Sequence, residues 1–499
     1  LLLHTQSKYK NFIVLILLNY LTSNLGHNIQ IYGPGLQPKN IVMPARYFVV
    51  NFTSIDENSY SRDLISNFAV EISGKSLKNN HCRVWANNLD RKDGTFIVRY
   101  KVYETCTELS ISIYYKNKHI HDSPFKFEGP IQPDQCVCPE EDVNQWLKQY
   151  QCPSSYDQIE MDLKPFQQLV MKNQVQKIIK HYHKPESTSF CHYVIKNNEI
   201  YRDCYGKHVG FNMFADNILL SLTRKVVLPD MELVINLGDW PLVHKDTEPL
   251  PIFSWCGSNE TLDIVMPTYD ITESALENMG RVTLDTLSVQ GNVERKWEDR
   301  ENRAFWRGRD SRAERLKLID IARAHPDLLN ASLTNFFFFR EKEAEYGPKL
   351  PHVSFFKFFD YKYQINVDGT VAAYRLPYLL SGGALVLKQD SPYYEHFYGK
   401  LKPFEHFVPI RRDLSDLPDK INWARENDDK AHQIAQNAQI FANYHLLPQH
   451  IICYHAVLFL EWSKRIKGEV KVGKDMTHVP QTKFECQCDA SVKVNHEEL

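Results

Sequence analysis

The sequence predicts a small antiparallel β-sandwich followed by a larger α/β region of two lobes. Between about Ile31 and Pro130, short apolar runs alternate with polar residues and are separated by turn signals. From there to about residue 465, strand-like runs alternate with helical ones, the pattern of mostly parallel sheets covered by helices. At 499 residues the chain has room for two or three domains, and an α/β region of this size is expected to divide.

The elements follow in order. Residues 1–26 read as a secretory signal peptide: Lys8 and Lys10 precede a short apolar core, Phe12 to Leu18, too short to span a bilayer. Residues 27–130 hold the sandwich, with expected strands at Tyr47–Phe52, Phe68–Ile72, Arg83–Ala86, Thr95–Tyr103 and Leu109–Tyr115, and a turn at Asp93-Gly94. A Pro-, Cys- and acid-rich link, Ile131 to Glu141, opens the α/β region at 131–466. Its expected strands include Met231–Leu237 and Ala384–Leu387, and its expected helices Ser311–Ala324 and Asp428–His445. Residues 467–499 are polar and read as a tail.

Composition excludes some classes. Fifty-nine Lys+Arg against 61 Asp+Glu leave no bias toward nucleic acid or an acidic membrane surface, and no run beyond the leader is apolar enough to insert. Eleven cysteines, an odd number, predict disulfides and at least one unpaired thiol. Cys136/Cys138 and Cys486/Cys488 are C-x-C pairs that do not fit zinc spacing, and no C-x-x-C is present. The chain ends in His496-Glu497-Glu498-Leu499, one conservative change from a retrieval signal of the endoplasmic reticulum, so a luminal protein is expected. Asn51, Asn259 and Asn330 begin glycan-acceptor tripeptides.

Three stretches carry candidate chemistry. Asp239 follows the expected strand Met231–Leu237 on the turn Gly238-Asp239-Trp240-Pro241; there it either serves as a general base or only closes its own turn. In Phe305-Trp-Arg-Gly-Arg-Asp-Ser-Arg-Ala-Glu-Arg315, Ser311 and Glu314 have capping-box spacing. Arg309 and Arg315 at that helix start suit an anion, although Arg312 and Arg315 paired to Asp310 or Glu314 on a solvated helix fit equally. Gly369-Thr-Val-Ala-Ala-Tyr-Arg375 puts a turn and small residues at the expected start of a helix ending near Ser381-Gly382-Gly383. A diphosphate approaches such a backbone closely, with Arg375 in reach.

Two resemblances follow from these motifs. Gly33-Pro-Gly-Leu36, Pro44-Ala45, Asp93-Gly-Thr-Phe96 and Ser123-Pro-Phe-Lys-Phe127 resemble the filamin-type immunoglobulin-like repeat. The stretches N-L-G-D-W-P, F-S-W-C-G-S, W-R-G-R-D-S-R-A-E-R, N-F-F-F-F, Y-K-Y-Q-I-N-V-D-G-T-V-A-A-Y-R and Y-Y-E-H-F-Y resemble the luminal protein O-glucosyltransferases, in particular the KDEL-motif-containing ones with an N-terminal filamin-type repeat. The resemblance implies a GT-B glycosyltransferase of two Rossmann-like lobes. It also implies inverting transfer from UDP-glucose to a serine of EGF-like repeats in secreted and cell-surface proteins such as Notch-type receptors, without metal or other cofactor. By the same resemblance Asp239 is the catalytic aspartate, Arg315 and Arg375 contact the nucleotide sugar, and Thr370, Val371, Ala372, Ala373 and Tyr374 form its main-chain cradle. Arg309 stands where a more distant branch of the family uses a serine. Partners implied are the acceptor repeats and the retrieval receptor, in the lumen of the endoplasmic reticulum. A UDP-xylose donor or a catalytically silent lectin- or chaperone-like binder are the alternatives. The sequence itself contains no Asp-x-Asp, the pair that metal-dependent sugar transfer usually employs.

Overall fold

The structure is a computed structural model, and it describes residues 29–52, 66–120, 122–184, 186, 189–277, 285–484, 486 and 488. The expected leader and the terminal tetrapeptide lie outside the described residues.

Eight strands, β1 (Ile29–Tyr32), β2 (Arg46–Phe52), β3 (Phe68–Ser76), β4 (Val84–Asp90), β5 (Thr95–Val102), β6 (Cys106–Tyr115), β7 (Lys118–His119) and β8 (Phe125–Ile131), build the expected sandwich. One sheet runs β1-β2-β5-β4; the other joins β3, β6, β7 and β8. A Cys82–Cys106 disulfide closes the second sheet's edge. Alternation on β5 has a double use. Phe96, Val98 and Tyr100 face the sandwich core with Phe48 and Val50, whereas Ile97, with Tyr47 and Val49, joins the core of the following lobe. Both faces of this strand are therefore covered.

The first lobe is built on β9 (Phe190–Lys196), β10 (Glu199–Tyr205), β11 (Met231–Asn236), β12 (Phe253–Ser254) and β14 (Ile264–Val265), with β13 (Gly257–Ser258) set apart. Mostly parallel pairing is expected, and here it holds for β11, β12 and β14. The sheet is mixed because Asn197 and Asn198, both left-handed (φ 51 and 62), form a two-residue hairpin that folds β10 back on β9. The second lobe carries β15 (Glu301–Arg309), β16 (Leu329–Asn335), β17 (Tyr361–Asn366), β18 (Leu385–Gln389) and, after β19 (Tyr393–Tyr394), β20 (Val408–Ile410). This sheet is wholly parallel in the order β16-β15-β17-β18-β20. Its direction of winding reverses between β15 and β17, and loops leaving both strands there open a crevice.

The lobes are joined in several places. Strand β13 pairs with β19, and at Gly257 a side chain would strike the Tyr394 ring. The helix Pro448–Ser463 returns from the second lobe to the first, where Phe459 and Trp462 pack in the core and the Trp462 indole donates to the Glu232 carbonyl at 2.8 Å. Cys152–Cys453 fastens it. The polar stretch expected as a free tail is also part of this lobe: β21 (Thr477–Val479) extends the sheet beyond β10, and Cys136–Cys486 and Cys138–Cys488 staple residues 486 and 488 to the link. Beside the junction Glu395 is fully buried, with the Tyr398 hydroxyl 3.3 Å from one carboxyl oxygen; burial pushes its pKa up to about 8.

Two outcomes follow. Replacing both Cys152 and Cys453 by Ser, which opens a closure 301 residues apart, lowers unfolding free energy by about 2–4 kcal/mol in denaturant titration. For Glu395 the folded form holds its proton more tightly than the unfolded chain does. Its contribution to stability is thus complete in acid and is lost as pH rises from about 4.5 toward about 8. Glu395→Gln removes that loss, so its melting temperature gains on that of the parent chain as pH is raised across this window; parallel melting curves would refute the assignment.

Candidate functional site

The site is assembled from the ends of three strands. On the first lobe, β11 ends at Asn236, whose side-chain amide donates to the Trp240 carbonyl at 2.6 Å and to Ser254 Oγ at 3.1 Å, while its oxygen accepts from the Gly238 N–H. From the other side, the Asp263 carboxylate accepts from the Leu242 and Val243 N–H groups. Asn236 and Asp263 close the turn, so Asp239 does not have to. Its half-buried carboxylate meets the Tyr269 hydroxyl at 3.4 Å. Burial raises its pKa, and the Tyr269 hydroxyl and the Arg309 charge oppose that rise. Tyr269 is held by stacking on Phe214 and by edge contacts to Trp255 and to Tyr374 of the second lobe.

On the second lobe, β15 ends in a bulge between Gly308 and Arg309. Asp310 is fully buried, its carboxylate accepting from the N–H groups of Phe337, Phe338 and Phe339, so it holds the loop after β16. The capping box expected at Ser311 does not form. The helix spans Ala313–Ala324 with Arg312 at its cap and no side-chain capping bond, and Ser311 Oγ instead accepts from Arg315 at 3.3 Å.

Arg315 is not paired to Asp310 or Glu314, nor is it on a solvated face. It is buried over the Trp306 ring, and its guanidinium donates to the carbonyls of Asp368 (2.7 Å), Val367 (3.2 Å) and Arg309 (3.0 Å). It ties the end of β15 to the loop after β17. Arg375 does the same from that loop, donating to the Arg307 carbonyl at 2.6 Å. Arg312 donates to the Thr370 carbonyl at 3.3 Å and lies over Tyr393. Burial, then the neighbouring charge of Arg375, pushes the pKa of Arg315 down to about 9, with Arg309 and Arg312 adding to the effect. Burial and Arg309 push Arg375 down to about 10 against the pull of Asp270. Among the described residues, Arg309, Arg315 and Arg375 form no ion pair; Arg309 is exposed beside Asp239.

The loop itself differs from expectation. The helix occupies only Leu376–Ser381, with Arg375 at its cap and Pro377 in its first turn. Residues 369–375 are instead a loop begun by the Gly369 N–H bonding to the Val371 carbonyl at 2.8 Å. A Cβ on Gly369 would sit 3.2 Å from Arg315 Nη2. Val371, Ala372 and Ala373 are buried and Thr370 and Tyr374 half-buried, yet none of the N–H groups of Thr370 to Tyr374 finds an acceptor among the described residues. Main-chain donors left unpaired in this way call for an acceptor from outside the chain.

The structure therefore brings Asp239, Arg309, Arg315, Arg375 and residues 370–374 together in one cleft, with guanidinium groups on one lobe and the carboxylate on the other. Sequence reasoning missed Tyr269 and the supports Asn236 and Asp263; it named Arg312 and Asp310 only as ion-pair partners, and of those pairs Arg312–Glu314 is present at 3.7 Å. Only Asn236, a polar residue closing an apolar strand, left a local signal. Of the glycan tripeptides, Asn330 is half-buried at the start of β16. Its side-chain amide donates to the Tyr361 hydroxyl (2.8 Å) and accepts from Arg307 (2.8 Å). Asn51 lies half-buried in β2, and Asn259 is exposed on a turn. Among the described residues no group of three or more His, Cys, Asp or Glu is arranged to hold a metal ion. Of the eleven cysteines, ten are paired and Cys256 is a buried thiol beneath the Asp239 turn, its sulfur 3.5 Å from the Asp239 carbonyl.

Comparison with known proteins agrees with this architecture. The filamin/ABP280 repeat matches residues 26–126. Protein O-glucosyltransferase 2 of Danio rerio is 49% identical over 473 residues, covering 94% of this chain and 93% of the relative. Protein O-glucosyltransferase 3 of Homo sapiens is 45% identical over 479 residues, covering 94% of both. Protein O-glucosyltransferase 1 of Homo sapiens is 29% identical over 344 residues, covering 66% of this chain and 86% of the relative. Glycosyl transferase family 90 matches residues 147–498, from the first helix of the α/β region through the stapled C-terminal stretch, and the chain belongs to that family.

Proposed function

We propose that the chain is an inverting protein O-glucosyltransferase that moves glucose from UDP-glucose to a serine hydroxyl of an EGF-like repeat. The observation that carries this reading is the opposition of one carboxylate, Asp239, to four guanidinium groups across the cleft. Among the described residues, three of those groups form no ion pair. Positive charges crowded into a low-dielectric crevice are costly until an anion joins them, and a nucleoside diphosphate supplies two charges of the right sign.

In the proposed mechanism the diphosphate lies along the N–H groups of Thr370 to Tyr374 at the reversal point between β15 and β17. Arg309, the exposed member, reaches its oxygens directly. Arg315 and Arg375 hold the main chain in place and add field. Asp239 accepts the proton of the serine hydroxyl as that oxygen attacks the anomeric carbon; the bond to the diphosphate oxygen breaks and UDP departs from the opposite face. Charge on the leaving group grows in the transition state, so fixed guanidinium groups lower the barrier more than they tighten ground-state binding. No metal is required in this scheme, because arginines take the place of a divalent ion.

The names of the relatives support glucose as the sugar and a protein as the acceptor. Five disulfides support residence in an oxidising compartment of the secretory pathway, taken here as the lumen of the endoplasmic reticulum, in keeping with a retrieval receptor and EGF-like partners.

Incubating the purified protein with a folded EGF-like repeat and either UDP-glucose or UDP-xylose, then weighing the product, tests the reading. A hexose gain is expected; a pentose gain reassigns the donor, and no gain with either leaves a binder. Asp239→Asn is expected to lower transfer about a hundredfold or more while UDP affinity persists; near-parental transfer removes Asp239 as the base. Arg309→Ala, an exposed change that leaves the fold intact, weakens UDP binding about tenfold by calorimetry. Unchanged affinity places the diphosphate elsewhere.

A further inference from the structure

The helix Tyr269–Leu276 is the most connected element of the cleft. Its first residue meets Asp239; Asp270 accepts from the Tyr378 hydroxyl of the second lobe at 2.8 Å; Ile271 and Ala275 pack with Phe305 and Leu376 of that lobe. At its other end, about 12 Å away at 1.5 Å per residue, stands Glu277 in the left-handed conformation (φ 55). A carboxylate at a helix C-terminus opposes the helix dipole, and this one is also buried, with 5% of its side chain exposed. Such a group stays charged only if it is paired.

Its partners come from the sandwich. Arg99 on β5 bonds Glu277 through one terminal nitrogen and Asp285 through the other, the latter at 2.9 Å; Lys101 pairs with the second oxygen of Glu277. On the far side of the same junction, Gln290 accepts from Arg91 Nε at 3.1 Å and donates to Asp93 at 2.6 Å, and a side chain at Gly291 would strike Leu89. Glu277, Asp285, Gln290 and Gly291 all belong to the connection between the lobes, and these contacts reach it from β4, β5 or the turn between them, while Asn443 of the second lobe also donates to Gln290 at 3.4 Å. The Arg99 side chain is 5% exposed although it stands on the outer face of its own sheet.

We infer that the filamin-type domain clamps the connection between the two lobes, and that Arg99 is a positioning residue that holds the Tyr269–Leu276 helix and, through Tyr269, the carboxylate of Asp239. Resting on the proposed role of Asp239, this gives the domain a part in setting the reacting geometry. A misplacement of the base by an ångström is enough to cost transfer severely while leaving the diphosphate cradle of the other lobe untouched.

The test uses the full chain with Arg99→Met and the milder Arg99→Lys. In Arg99→Met, amide hydrogen exchange in Tyr269–Leu276 and Asp285–Val293 is expected to rise about tenfold or more, with β9–β11 and β15–β18 unchanged. Transfer kcat falls about tenfold with donor KM within about twofold, and Arg99→Lys lies between Arg99→Met and the parent. Unchanged exchange in the helix overturns the clamp, as does a rise spread evenly through the first lobe, which marks general destabilisation. A fall in kcat without any change in helix exchange overturns it as well. Exchange needs no substrate, so a parent chain without transfer activity condemns the glucosyltransferase reading while leaving this measurement decisive.

Discussion

The electrostatic imbalance at the carboxyl ends of β15 and β17 governs how the rest of the molecule is arranged. The charges of Arg375, Arg309 and Arg312 add to burial in lowering the proton affinity of Arg315, and that of Arg309 does so for Arg375, against the pull of Asp368 and Asp270 respectively; Glu314 lies 3.7 Å from Arg312. Like charges held this closely in a crevice repel, and an unbraced loop would relax by letting the side chains swing into water. The chain prevents this by turning two of the arginines into structural members. Arg315 donates to three main-chain carbonyls and Arg375 to a fourth. Repulsion is then stored in a fixed place, and the free N–H groups of Thr370 to Tyr374 surround it. An anion entering the crevice finds donors already oriented, so little of the interaction is spent on reorganising the site.

That arrangement also explains why the opposing lobe must be held rather than hinged freely. A fixed positive wall is useful only if the carboxylate across from it is equally fixed. Asn236 and Asp263 take over the closing of the Gly238–Val243 turn, which leaves the Asp239 side chain to face the cleft. Strand β13 pairs with β19, the helix Pro448–Ser463 crosses back, and the sandwich covers the connection. Each ties the first lobe to something outside it. Contacts between domains usually permit relative motion when they are small and polar. Here Ile41, Met43, Tyr47, Val49 and Ile97 of the sandwich share one apolar cluster with the first lobe.

Much of this architecture could be read from local pattern. The runs at Tyr47–Phe52 and Thr95–Tyr103 gave β2 and β5 because period-two alternation survives whichever surface covers the outer face. The helix Asp428–His445 was legible to the residue, since its boundaries are set by its own ends. What escaped was nonlocal. Ser311 looked like a cap, but Asp310 beside it is committed to the Phe337–Phe339 turn and the chain reaches the helix one residue later. Likewise nonlocal are the side-chain bonds of Asn330, to Arg307 and Tyr361, residues 23 and 31 positions away. The polar residues after Lys467 carry no apolar pattern, and disulfides to the link and pairing with β10 supply the order that packing does not.

Arg315 best separates what a motif can and cannot say. The sequence placed a cation at a helix start and gave it the task of touching an anion. The structure keeps the cation and the location and adds an intrachain task, since its Nε and terminal nitrogens serve carbonyls of Asp368, Arg309 and Val367. A guanidinium buried in this way cannot be exchanged for an ammonium without losing the fork that spans β15 and the loop after β17. Its charge still reaches the crevice, because a low-dielectric surrounding carries the field over several ångströms. In the proposed reading Arg315 therefore acts on a diphosphate mainly through position and potential, and direct contact is assigned to Arg309, which makes no ion pair among the described residues and lies beside Asp239.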